Sequence, residues 1–183
     1  MAIDLTLLEH GDVNRCWMAT RIITFSGEVD ESTTWEVGVK LDTLASISNE
    51  PITLVICSGG GLIWNGLGLH DKIEYISRKH VVVTVGQGIV ASAAVPIFMG
   101  AKKRYAFRNT SFMIHDSKES MESMKPEEVQ AEASESLRIR EKEWAILSKK
   151  TKITRKEFDS YIQTPRYFTA AEARECRIVT KII

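Results

Sequence analysis

RIITFSGEVDESTTWEVGVKLDTLASISNEPITLVICS, residues 21–58, decides the fold class. Two β-branched apolar runs within it, RIITFSG (21–27) and ITLVICS (52–58), read as buried strands. The stretch between them, TTWEVGVKLDTLAS (33–46), reads as a helix. Trp35, Val39, Leu41 and Leu44 supply apolar spacing, and Thr33 with Glu36 has the form of a capping box. A strand–helix–strand unit predicts a parallel, right-handed crossover.

The alternation continues on the C-terminal side. LIWNGLGLHDKIEYIS (62–77) reads as a helix through Leu62, Leu69, Ile73 and Ile76, and HVVVTVGQG (80–88) as a third buried strand. ASAAVPIFMGA (91–101) reads as a short helix starting at or beside Ser92, with Pro96 near its first turn, where proline is tolerated. KRYAF (103–107) and SFMIH (111–115) predict two more strands. Residues 125–151 form the longest helical pattern. Pro126, Glu127 and Glu128 suit its start, Lys149 and Lys150 its end, and Val129, Ala133, Leu137, Trp144 and Leu147 form an apolar stripe. Thr154 with Glu157 and Thr169 with Glu172 are capping boxes for two short helices. The whole predicts an α/β domain with a largely parallel sheet.

Composition narrows the function. The 183 residues suit one domain, and 44% hydrophobic residues can fill a core. The 24 basic and 24 acidic residues balance, so attraction to nucleic acid or an anionic membrane has no support. No apolar run is long enough to span a bilayer, and MAIDLTLLEHGDVNR (1–15) lacks the basic-then-apolar pattern of a signal peptide. Cys16, Cys57 and Cys176 form no CxxC. They fit a reducing cytoplasm and no cysteine zinc site.

Three elements at strand ends carry candidate chemistry, where open α/β sheets place their sites. SGGG (58–61) lets the backbone approach a ligand and offers free N–H groups, or is simply a tight turn. Ser92 lies among small residues at a helix start. There it is either a cap or a nucleophile whose following N–H, that of Ala93, faces a developing oxyanion. His115 closes a strand and is a candidate general base. His10, His70 and His80 have no motif around them and read as structural or surface residues.

From Arg21 to about Phe168 these motifs, in this order, resemble the proteolytic subunit of the Clp protease, ClpP. The resemblance is carried by RIITFSGEV, ITLVICSGGG, GQGIVASAA, GAKKRYAFRNTSFMIHDS and FTAAEA. It implies one domain over residues 1–183 with a ClpP/crotonase-type spiral of βαβ units. Residues 1–20 would form a short N-terminal segment, and residues of about 116–150 a protruding, helix-containing handle. It implies peptide-bond hydrolysis through an acyl-enzyme, with Ser92 as nucleophile and His115 as general base. The N–H groups of Gly61 and Ala93 would form the oxyanion hole. It implies no cofactor and no metal, a polypeptide substrate, and a homo-oligomeric ring, seven-membered and stacked in pairs. A partner unfoldase ATPase or a paralogous subunit belongs to the same picture, though no segment here supports the ATPase.

The chain departs from the family in several places. The family's triad aspartate, aligned on FTAAEA, falls on Pro165, and a shift of one residue gives Thr164 or Arg166. Three readings follow: another acceptor serves (Asp159, a backbone carbonyl or a neighbouring subunit), the site runs as a slower dyad, or the subunit is inactive and structural. Asp116 is set aside as the acid, because neighbours on a strand face opposite ways. A crotonase-type acyl-CoA enzyme is a distant alternative, with the glycine N–H groups serving a thioester enolate. The family's glycine-rich handle strand corresponds to SKESMESMKPEE (117–128), which has no glycine. Arg177 stands where the family has glycine and Thr180 where it has aspartate. IVASAAVPIFMG (89–100) reads as an apolar edge that neighbouring copies would bury.

Overall fold

The computed structural model describes residues 13–116 and 125–183. Seven helices and seven strands follow one another among these residues. They are α1 (Val13–Thr20), β1 (Ile22–Val29), α2 (Glu31–Ile47), β2 (Ile52–Gly61), α3 (Ile63–Ile76), β3 (Val82–Ala91) and α4 (Ala94–Met99). Then come β4 (Lys103–Ala106), β5 (Ser111–Ile114), α5 (Pro126–Lys150), α6 (Arg155–Gln163), β6 (Arg166–Thr169), α7 (Ala170–Glu175) and β7 (Lys181–Ile182).

The sheet runs β1–β2–β3–β4–β7, with β5 also on β3 and β6 on β5. Every pairing is parallel except β5 with β6. Because βαβ crossovers cover a parallel sheet, its strands are apolar on the inner face: Ile23, Phe25, Ile52, Leu54, Ile56 and Val90 are all buried.

One break in this sheet places the candidate site. β3 pairs with β4 through Val83–Gly86 and with β5 through Ile89–Ala91. Gly88 takes φ +69 at the changeover, a conformation open to glycine. Thr110 locks the bend by donating its hydroxyl to the Gly86 carbonyl at 2.8 Å. The C-terminal half of β3 is thereby turned toward β5, so that Ser92 and His115 end on the same side.

Several predicted details are corrected. The cap of α2 is Asp30, whose carboxylate accepts from Thr33 N–H at 2.7 Å while the Thr33 hydroxyl accepts from Asp30 N–H. A box on Thr33 and Glu36 would have started the helix three residues later. Trp35 and Val39 are exposed, and the core face of α2 is Val37, Gly38, Leu41 and Leu44. Leu62 precedes α3 and is exposed. In α5, Ala133 and Leu137 face solvent, while Ile139 and Leu147 are buried. Only the C-terminal half of that helix lies on the core. The segment 89–100 is no edge either, since α4 is buried throughout within the chain's own core. SGGG is the end of β2 rather than a turn. The capping boxes of α6 and α7 form as read. The handle strand at 117–124 and the N-terminal residues 1–12 lie outside the described residues.

The C-terminal segment is tied down by Arg104. Its buried guanidinium donates to the carbonyls of Ile178 (2.8 Å), Arg177 (2.9 Å) and Ala101 (3.0 Å). Arg177 follows α7 with φ +65, a left-handed conformation that costs a side-chain-bearing residue about 1 kcal/mol. Arg177→Gly is therefore expected to raise the melting temperature by roughly 2–4 °C. An unchanged or lowered value in a thermal scan would show that the arginine side chain contributes as much as its backbone costs.

Candidate active site

Three strand ends converge. β2 finishes in Gly59, Gly60 and Gly61, β3 runs into Ser92, and β5 runs into His115. Ser92 sits at φ +54, in the left-handed region that a non-glycine residue rarely enters. Its N–H donates to the Met113 carbonyl at 2.9 Å, and its carbonyl accepts from Val95 N–H at 2.9 Å. One bond fixes the residue to β5 and the other opens α4. The turn therefore aims the hydroxyl out of the sheet, and Ser92 Oγ lies 2.9 Å from His115 Nε2.

The neighbouring backbone is shaped around this hydroxyl. Gly60 has φ +104, and a Cβ there would lie 2.6 Å from Ser92 Cβ and 3.1 Å from Ser92 Oγ. Gly61 has φ +149, and a Cβ there would strike the Val29 carbonyl oxygen at 2.4 Å. A Cβ at Gly66 of α3 would meet the Ala93 carbonyl oxygen as closely, at 2.4 Å. All three glycines are required by close approach, the first two also by conformation. Ala93 precedes α4, where an N–H has no carbonyl one turn back to bond.

α4 is braced from behind. His70 of α3 lies with Nδ1 2.7 Å from the Pro96 carbonyl, so Nδ1 is the protonated nitrogen. Burial depresses the basicity of this imidazole. Lys150 of α5 donates to the Met99 carbonyl at 2.8 Å and pairs with Glu74 at 3.1 Å. His70 is thus structural, as read from the sequence.

Beside Ser92 and His115 is a narrow cavity with room for about one water, walled by Val95, Ile114, Leu147 and Glu143. Glu143, on α5, has no counterpart among the residues singled out from the sequence; one charge in a highly charged helix carries no signal of its own. Burial, with a smaller push from the Asp116 carboxylate and against the pull of Arg140, raises its carboxyl to about 7. In an unfolded chain the same group titrates near 4.5. Its contribution to stability is therefore full below about pH 4.5 and is lost as pH rises through 7. Relative to wild type, Glu143→Gln should gain about 2 kcal/mol between pH 5 and pH 8. Urea midpoints of both proteins at the two pH values measure this, and a constant difference would place the carboxyl in water.

The positions considered for a third member are spread out. The β5–β6 ladder ends at Ile114↔Arg166, with His115 following the one strand and Pro165 preceding the other. Proline offers no side-chain acceptor. Arg166 pairs instead with Glu172 at 2.8 Å. Asp159 is engaged by Arg155 at 2.8 Å on the exposed face of α6. Asp116 lies past the end of β5 rather than on it, and its carboxylate is held by Arg140 at 2.7 Å.

A parallel sheet that delivers a strained serine and a histidine to one edge, with a glycine strand end packed on the serine, defines an α/β protein of hydrolase-like geometry. The Clp protease family model matches residues 9–183, and the chain belongs to that family. It is 30% identical to the ATP-dependent Clp protease proteolytic subunit 2 of Pseudomonas aeruginosa, over all of this chain and 87% of that protein. It is also 30% identical to proteolytic subunit 1 of Thermobifida fusca, covering 89% of this chain and 74% of the other. Among solved structures, ClpP1 from Listeria monocytogenes superposes with a TM-score of 0.79 at 30% identity. A point mutant of the same ClpP1 does so with 0.83 at 32%, and both cover 93% of this chain and 95% of theirs. The ClpP-type α/β fold expected from the sequence is the fold found. No helix among the described residues is long and apolar enough to cross a membrane.

Proposed function

We propose that the chain is a Clp-type serine endopeptidase, acting as one domain over residues 1–183 within an oligomeric ring of copies in the cytoplasm. The observation that carries this reading is the 2.9 Å approach of Ser92 Oγ to His115 Nε2 at a strained turn. His115 accepts the hydroxyl proton as Oγ attacks the carbonyl carbon of a bound polypeptide. The N–H groups of Gly61 and Ala93 receive the oxyanion. Collapse of the tetrahedral intermediate breaks the C–N bond, and the imidazolium gives its proton to the leaving amine. Water, activated by the same imidazole, then hydrolyses the Ser92 ester.

A second reading is favoured by Pro165, which aligns with the family's triad aspartate and offers no side-chain acceptor. In that reading the chain is an inactive subunit that completes a ring built with active paralogues. Intact-mass analysis after treatment with a fluorophosphonate separates the two. A single adduct that disappears in Ser92→Ala and in His115→Ala is expected. A folded oligomer that takes no adduct favours the structural subunit.

A further inference from the structure

His115 and Asp116 lie beyond the last residue of β5. Elements elsewhere in the fold pack against this short piece of backbone. One such element is α5. Arg140 Nη2 lies 2.7 Å from Asp116 Oδ2, with the two side chains 25% and 31% exposed. The pair joins residues 24 apart in sequence, and it sits next to the histidine.

α5 is itself well anchored around this point. Ile139 and Leu147 are buried, and Trp144 packs on Phe158 with ring centroids 5.5 Å apart. Arg155 of α6 makes a two-pronged pair with Glu141, at 2.7 and 2.8 Å. A guanidinium carried on such a helix is a fixed point, unlike one on a solvated face. It also faces a second carboxyl, that of Glu143, which Asp116 repels and Arg140 attracts. The Arg140 Nε is buried and donates to nothing among the described residues, so the Asp116 bond is made by the outer end of the fork.

We propose that Arg140 is a positioning residue for His115, acting through Asp116. It pins the backbone one residue past the imidazole and so holds Nε2 within reach of Ser92 Oγ. This rests on the reading of Ser92 and His115 as the catalytic pair. An ion pair of ordinary surface kind contributes little to stability. A displacement of about 1 Å at a catalytic group, in contrast, costs on the order of 10² in rate. The effect therefore belongs to turnover rather than to folding.

The test uses the full chain with Arg140→Gln, Arg140→Lys, Asp116→Asn and the Asp116→Asn/Arg140→Gln double variant. Two readouts are taken: peptide hydrolysis, and hydrogen exchange of the amides around 113–116 followed by mass spectrometry. Arg140→Gln is expected to lower kcat by about 10- to 100-fold with KM nearly unchanged. Arg140→Lys recovers most of the loss, Asp116→Asn matches Arg140→Gln, and the double variant is no worse than either. Exchange around 113–116 accelerates in Arg140→Gln while that of β1 and β2 does not. Wild-type exchange and turnover in Arg140→Gln overturn the proposal. If the wild type turns over no peptide and takes no fluorophosphonate, the catalytic reading fails by itself. The exchange data then still decide whether Arg140 holds the histidine segment, and unchanged exchange there refutes it.

Discussion

Ser92→Ala lowers hydrolysis of an unstructured fluorogenic peptide by about 10⁴-fold or more, and His115→Ala takes it to the same floor. The size follows from the geometry. An alcohol of ordinary pKa is a poor nucleophile at neutral pH, and the 2.9 Å contact with Nε2 gives its proton somewhere to go as attack begins. Removing either partner removes the covalent route altogether. What remains is binding and any stabilisation of the oxyanion by the Gly61 and Ala93 N–H groups. The two residues act as one unit, so the double variant should be no slower than the worse single variant. Initial rates at micromolar enzyme, with oligomeric state checked by sedimentation, make the comparison. A Ser92→Ala protein that keeps more than about a hundredth of wild-type turnover would move the nucleophile elsewhere.

Gly60→Ala has the second largest expected effect, and it acts on shape rather than on chemistry. At φ +104 the backbone lies where an L-residue is strained. The added Cβ would also stand 2.6 Å from Ser92 Cβ and 2.9 Å from the Ala91 carbonyl oxygen, both on a buried turn with no flexible end to move. Strain and overpacking together are worth about 3 kcal/mol. Relief requires β2 and the Ser92 turn to separate, which moves Oγ away from Nε2. Fluorophosphonate labelling should fall by about 10²-fold or more, with a lower urea midpoint. Gly59→Ala is the matched control. A Cβ there meets nothing within 4 Å, so both quantities should stay near wild type. Equal behaviour of the two variants would mean that the strand end yields easily and does not shape the site.

The exposed apolar surface lies elsewhere than the sequence reading placed it. The apolar segment 89–100 is consumed by the chain's own core. The large apolar residues left at the surface include Trp35 and Val39 of α2 and Trp64 of α3, which line a common groove. Helical spacing showed Trp35 and Val39 as apolar but could not show which face of α2 meets the sheet. That choice is made by the β1–β2 pair, which takes Val37, Leu41 and Leu44 inward.

The sequence by itself determined the order of the elements from β1 to α6 and the start of α7, because each signal is local; α1 and the short strands β6 and β7 were not read from it. β-branched runs make strands, Thr154 and Thr169 start helices by bonding the N–H three residues on, and the motifs from Arg21 to Phe168 specify the family. It also singled out Ser92 and His115, which the fold brings to 2.9 Å of each other. Tertiary structure alone decided what surrounds them. Gly60 against Ser92, His70 behind Pro96 and Glu143 in the cavity are contacts between residues far apart in the chain. Their partners are set by where β3 bends from β4 to β5 and by where α5 crosses the site. Asp116 shows the difference most plainly. On a strand it would face away from its neighbour's business. Past the strand's end its direction is chosen by Arg140, a residue that no spacing rule connects to it.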